Sequence, residues 1–200
     1  MDAHEIYKKE TGLEAYIKTP VIVPTNGYMN WLEDLAKTRY EPTILRWIKK
    51  MLYHAENKEW FETYWSFDIH GTISKPDYRR DEKKLMYYPY AKETLKIMSD
   101  REDIKMILFT SSFPEEIEIY KEQFKIDGIF FDHVNENPEI SSAKGSFGYY
   151  ELKHYFNVLF DDKAGFNPER DWKFLFDYFS NSNYKPNPEW SMKYKEKYHK

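Results

Sequence analysis

The chain is predicted to form an α/β domain of three layers around a mostly parallel central sheet, with a helical extension in front of it. Three observations predict this. From residue 61 onward, short apolar runs alternate with amphipathic stretches, as in strand–helix–strand units joined by right-handed crossovers. Three of those runs end in polar chemistry: Asp68, Thr110-Ser111-Ser112 and Asp161-Asp162. Parallel sheets place their ligands at the carboxyl ends of the strands. Finally, 200 residues suffice for one domain with a short appendage.

The elements follow in order. "HEIYKKETG" suggests a short helix stopped at Gly12, and "TPVIVPTNGY" an extended piece between prolines with a turn at Asn26-Gly27. "MNWLEDLAKTRY" is amphipathic, with Trp31, Leu32 and Leu35 on one face. "PTILRWIKKMLYHAENKEW" repeats its apolar residues at helical spacing through Ile44, Leu45, Ile48, Met51 and Leu52. These segments form the expected helical extension, residues 1–60, and Trp31, Trp47, Trp60 and Trp65 are expected to pack it against the sheet. "ETYWSFDI", "IKMILFTSS", "GIFFDHV" and "YFNVLFDDKAG" read as strands, and "YPYAKETLKIMSDRE", "PEEIEIYKEQFKI" and "ERDWKFLFDYFS" as helices. Pro114 followed by two acids suits a helix N-terminus. The α/β domain is expected over 61–182 and a tail over 183–200.

Composition narrows the function classes. The net charge is −4, from 30 basic and 34 acidic residues, which argues against coating nucleic acid through bulk charge. There is no cysteine, so disulfides, thiolate metal sites and cysteine catalysis are excluded. The opening "MDAHEIYKKE" lacks an apolar signal-like run, and runs such as "MILF" are far too short to span a bilayer. A cytoplasmic protein is expected.

"FDIHGTIS", residues 67–74, poses the chemical question. An aspartate at a strand end before a glycine turn is a nucleophile, a metal ligand or an ordinary turn residue. The other two polar strand ends favour chemistry. Together, "SFDIHGTI", "MILFT" and "NVLFDD" resemble the haloacid dehalogenase (HAD) superfamily of aspartate-nucleophile phosphotransferases, over roughly residues 61–180. That family opens with a hydrophobic strand and Asp-x-Asp-Gly-Thr, continues with a strand ending in Ser or Thr, then a lysine, then a strand ending in paired acids.

The resemblance implies a Rossmann-like fold and a phosphomonoester phosphatase. Asp68 would attack phosphorus and form an aspartyl-phosphate that water then hydrolyses. Mg²⁺ would be held by Asp68, the carbonyl of His70 and Asp161, with Asp162 assisting. Thr110 and Ser111 would hold phosphate oxygens. The lysine is either Lys144 in "SSAKGSFG" or Lys153 in "KHYFNVLFDD"; Lys153 is preferred for its short distance to the paired acids, and would stabilise the charge shared by nucleophile and phosphate.

One position departs from the family. His70 stands where phosphatase members carry the second aspartate, the general acid–base. Imidazole is chemically able to do that work. Three readings stay open: catalysis with His70 as acid–base, altered chemistry such as a slow phosphatase or phosphotransferase, or a weak or inactive fold used for binding. The intervals from Asp68 to Thr110 and from Thr110 to Lys153, 42 and 43 positions, leave no room for an inserted cap. The expected site is open. It suits a nucleotide, a nucleic-acid end, a sugar phosphate or a phosphoprotein, and a second subunit forming a homo-oligomer is one source of a lid. "SKPDYRRDEKKLMYYP" is expected to form a flap beside it, with Arg79, Arg80, Lys83 and Lys84 in reach of an anionic substrate.

Overall fold

The computed structural model describes residues 16–17, 23–24, 42–76, 84–140, 150 and 152–182. Trp31, the helices expected in residues 4–12 and 29–40, the flap residues Arg79, Arg80 and Lys83, Lys144 and the tail from 183 lie outside the described residues. The chain divides into two units, Met1–Pro42 and Thr43–Lys200. In the first, β1 (Tyr16–Ile17) pairs antiparallel with β2 (Val23–Pro24).

The second unit begins at Thr43 rather than near residue 61. Its first helix, α1 (Thr43–Asn57), buries Ile44, Ile48, Leu52 and Ala55, one stripe at helical spacing, and packs on the last helix, so it is part of the α/β core. Trp47, expected to pack inward, is 51% exposed. Its neighbour Ile48 occupies the buried stripe, and one residue is about 100° of rotation on a helix.

Four strands form an all-parallel sheet in the order β5-β4-β3-β6. They are β3 (Thr63–Phe67), β4 (Ile104–Leu108), β5 (His133–Val134) and β6 (Val158–Phe160). β5 is much shorter than "GIFFDHV" suggested. The Asp132 carboxylate accepts the Met106 N–H at 2.8 Å, so a side chain takes the place of a ladder bond where the edge strand would begin. Three further helices are α2 (Ala91–Ser99), α3 (Pro114–Ile126) and α4 (Pro168–Asn181).

Alternation along β3 decides which face is covered. Trp65 and Phe67 point into the main core, where Trp172 and Phe179 of α4 meet them, while Phe124 of α3 reaches Phe67 through Phe131. Leu95 and Met98 of α2 lie in the same cluster. The steps β3→β4→β5 run in one direction, so right-handed crossovers put α2 and α3 on one face. The opposite face presents Tyr64 and Ser66. It is covered by the return segment to β6, through Tyr64 Oη donating to Glu139 at 3.1 Å, Tyr64 against Tyr155, and Ser66 Oγ at 3.1 Å from His154 Nε2. The expected third layer is therefore not helical among the described residues. The α/β class and the parallel sheet stand.

Candidate active site

The sheet order contains a reversal. The chain moves outward from β3 to β4 and β5, then returns to place β6 on the other side of β3. Crevices at such switch points, beyond the carboxyl ends of the strands, are where open α/β sheets bind ligands. Asp68 directly follows β3 and Asp161 directly follows β6. Their juxtaposition is fixed one residue earlier. Phe67 pairs with Phe160 in register, their rings stack at 4.6 Å and 6°, and Trp172 lies against both. The Asp68 N–H then donates to the Phe160 carbonyl at 2.9 Å. Truncating a buried phenylalanine costs about 3–5 kcal/mol, so this aromatic stack sets both strand register and site geometry.

The turn after Asp68 wraps around one carbonyl. The N–H groups of Ile73 and Ser74 reach Ile69 O at 3.0 and 2.8 Å, and Gly71 N–H reaches Ser74 O at 2.8 Å. Gly71 has φ +90°, and a Cβ there would lie 2.9 Å from Asp162 Oδ2. Glycine is thus required twice, by the backbone and by the approach of Asp162. Thr72, fully buried, joins the two strand ends: its hydroxyl donates to Asp68 Oδ2 at 3.4 Å and accepts the Asp162 N–H at 2.9 Å. Its carbonyl accepts the indole N–H of Trp172 at 2.8 Å.

Asp68, Asp161 and Asp162 each offer an oxygen within 4.8 Å of the others. Burial, with Asp161 next in importance, pushes the Asp68 carboxyl up from 3.8 to about 6, against the opposing pull of the Ile69 N–H and Lys163. Three acids this close repel one another. A hard divalent ion, with oxygen bonds of about 2.1–2.5 Å, spans oxygens about 4–5 Å apart, so an all-oxygen donor set of this size fits Mg²⁺ or a similar ion.

The cation beside the acids is not one of the two lysine candidates but Lys163, which follows them directly in the chain. Lys163 Nζ lies 3.6 Å from Asp162 Oδ1, and Asp162 and Asp68 hold its ammonium above the usual lysine range. Lys153 is exposed and next to His154, on the segment that covers the polar face of the sheet.

On the other side of Asp68, beyond β4, lies a hydroxyl loop. Thr110 is nearly buried, and its Oγ1 lies 2.9 Å from Ser112 Oγ. Ser112 Oγ is in turn 3.4 Å from His70 Nε2, and the His70 ring sits edge-on to Tyr120 of α3. Asp68, His70 and Thr110 are thus brought to one end of the sheet. Ser111 is exposed, and the serine bonded into the cluster is Ser112. Asn135 clamps Thr110 from the end of β5: its Oδ1 accepts the Thr110 N–H at 2.8 Å and its Nδ2 donates to the Thr110 carbonyl at 2.7 Å. "HVNEN" carries no local signal for this role, whereas Thr72 stands inside the strand-end motif itself.

The expected flap has a defined stem. Lys75 N–H donates to Met86 O at 2.8 Å and Tyr88 N–H to Ile73 O at 3.1 Å, with an antiparallel bridge between Ser74 and Tyr87. The stem is tied to α3 by Leu85 N–H to Gln123 Oε1 at 2.7 Å and by Tyr87 Oη to Asp127 Oδ2 at 2.8 Å.

The arrangement places a half-buried carboxylate between an acidic side and a hydroxyl-rich side that carries an imidazole. Among the described residues no helix is long and apolar enough to cross a membrane. No family model and no curated protein matches the chain. A solved structure of a conserved protein from Bacteroides thetaiotaomicron is similar at 21% identity and a TM-score of 0.44, covering 60% of this chain and 90% of that one.

Proposed function

We propose that this chain is a divalent-metal-dependent phosphomonoester phosphatase of the haloacid dehalogenase type, with Asp68 as nucleophile. The observation that carries the reading is the convergence of Asp68, Asp161 and Asp162 at the switch point, facing the Thr110–Ser112 loop across Asp68. The strand order supports it as well, since the nucleophile strand lies between the hydroxyl-bearing and the acid-bearing strands.

Asp68, Asp161 and Asp162, with the His70 carbonyl, would hold Mg²⁺, which when bound supplies charge neutralisation between carboxylate and phosphate. The chain's own residues do the rest. The Thr110 and Ser112 hydroxyls bind phosphate oxygens, and Lys163, with Lys153 as the sequence-based candidate, balances their charge. An Asp68 oxygen attacks phosphorus, the phosphorus–oxygen bond to the leaving group breaks, and His70 gives that oxygen its proton. Water then attacks the phosphorus of the aspartyl-phosphate while His70 takes its proton, the bond from phosphorus to the Asp68 oxygen breaks, and orthophosphate leaves a free Asp68 carboxylate.

One observation favours a second reading, a binding protein without turnover: the His70 ring is packed on Tyr120 and within reach of Ser112. Phosphate release from a panel of nucleotides, sugar phosphates, oligonucleotide ends and 4-nitrophenyl phosphate separates the two. Magnesium-dependent release that Asp68→Asn abolishes supports the phosphatase, and no release from any substrate supports the binding protein.

A further inference from the structure

We propose that Asn135 is the positioning residue that shapes the Thr110–Ser112 loop into an anion cradle, an inference that rests on reading the strand-end site as a phosphate site. The sheet gives the reason such a residue is needed. β5 ends at Val134, and the last ladder bond on that edge is the Asn135 N–H to the Leu108 carbonyl at 2.8 Å. Beyond it the β4 chain has no strand partner on that side, yet Thr110 must be held. The Asn135 side chain extends the ladder: it accepts the Thr110 N–H at 2.8 Å and donates to the Thr110 carbonyl at 2.7 Å. One amide thus satisfies both peptide groups of a nearly buried residue.

This has a chemical consequence. With its peptide groups engaged by Asn135, Thr110 presents its hydroxyl to a ligand, and the loop adds the Ser112 hydroxyl and the Ser111 peptide. Ser112 N–H donates back to Thr110 Oγ1 at 3.2 Å, and Ser112 Oγ lies 3.4 Å from His70 Nε2. The orientation that Asn135 imposes on Thr110 therefore passes to both hydroxyls and to the imidazole. The backbone at Asn135 fits the same role. Its φ is +55°, a region that asparagine enters more readily than most residues. Glycine would meet the backbone requirement equally well but would supply no clamp.

That difference defines the experiment. Asn135→Gly keeps the left-handed backbone and removes only the amide. Thermal unfolding reports the fold, calorimetry with inorganic orthophosphate in magnesium buffer reports the cradle, and hydrolysis of 4-nitrophenyl phosphate reports turnover. The expected result is a folded variant whose orthophosphate Kd and KM rise together by about 10- to 10²-fold, the scale of losing one or two hydroxyl hydrogen bonds to a charged group. A parent-like Kd in folded Asn135→Gly overturns the proposal. If the parent binds orthophosphate but hydrolyses nothing, the phosphatase reading fails and the Kd ratio alone decides this one. If the parent hydrolyses substrate and Asn135→Gly does so with the same KM, this inference fails and the phosphatase reading stands. A parent that neither binds orthophosphate nor hydrolyses substrate overturns both.

Discussion

Replacing Asp68 by asparagine should stabilise the metal-free protein at pH 7 while ending turnover. The folded state holds the Asp68 carboxyl at about 6, against 3.8 for an ordinary aspartate, through burial and the charge of Asp161. The folded protein therefore binds more protons than the unfolded chain between about pH 4 and 6. Stability falls as pH rises through that window, because the unfolded chain ionises first. At about 1.4 kcal/mol per pH unit the full effect would be about 3 kcal/mol. Asp68 is only half-buried, and solvent screening reduces this to about 1–2 kcal/mol. The neutral amide avoids the charge and can still accept the Thr72 hydroxyl hydrogen bond. In a chain of this length about 1–2 kcal/mol moves Tm by about 3–6 °C. The assay is thermal unfolding of parent and Asp68→Asn in chelator from pH 3.5 to 7.5. The two curves should converge at the acid end and separate across pH 4–6, with the variant higher at pH 7. A variant that is less stable at pH 7, or a gap that does not change with pH, would refute the electrostatic reasoning.

Three further outcomes follow from the same geometry. Magnesium should raise the Tm of the parent at pH 7, because cation binding relieves the acid–acid repulsion, and Asp161→Asn should lose most of that gain in the same thermal scans. Gly71→Ala meets both a backbone at φ +90° and the Asp162 carboxylate 2.9 Å from the new Cβ; urea unfolding should show a loss of about 1–3 kcal/mol, together with weaker magnesium stabilisation. His70→Ala should slow hydrolysis of poor leaving groups by about 10²–10⁴-fold, and less for 4-nitrophenyl phosphate, with His70→Asp recovering part of the loss; equal activity on a poor leaving group would remove His70 from the acid role.

The sequence by itself determined what depends on local order. Helix α3 runs over the predicted residues 114–126, where Pro114, Glu115 and Glu116 mark its start. The three polar strand ends were legible for a similar reason: an apolar run that stops at Asp68, Thr110 or Asp161 shows its end in the chain itself. Tertiary structure decided the rest. Which strands are neighbours, and hence that Asp68 meets Asp161 and Asp162 rather than some other pair, follows from the Phe67–Phe160 stack and the return of β6 to the far side of β3. Asn135 enters the site only through that arrangement and carries no local signal, whereas Lys163 follows the paired acids directly in the chain. The one-sided covering of the sheet and the inclusion of α1 in the core were likewise decided by packing, since an amphipathic stripe states that a helix has a partner without naming it.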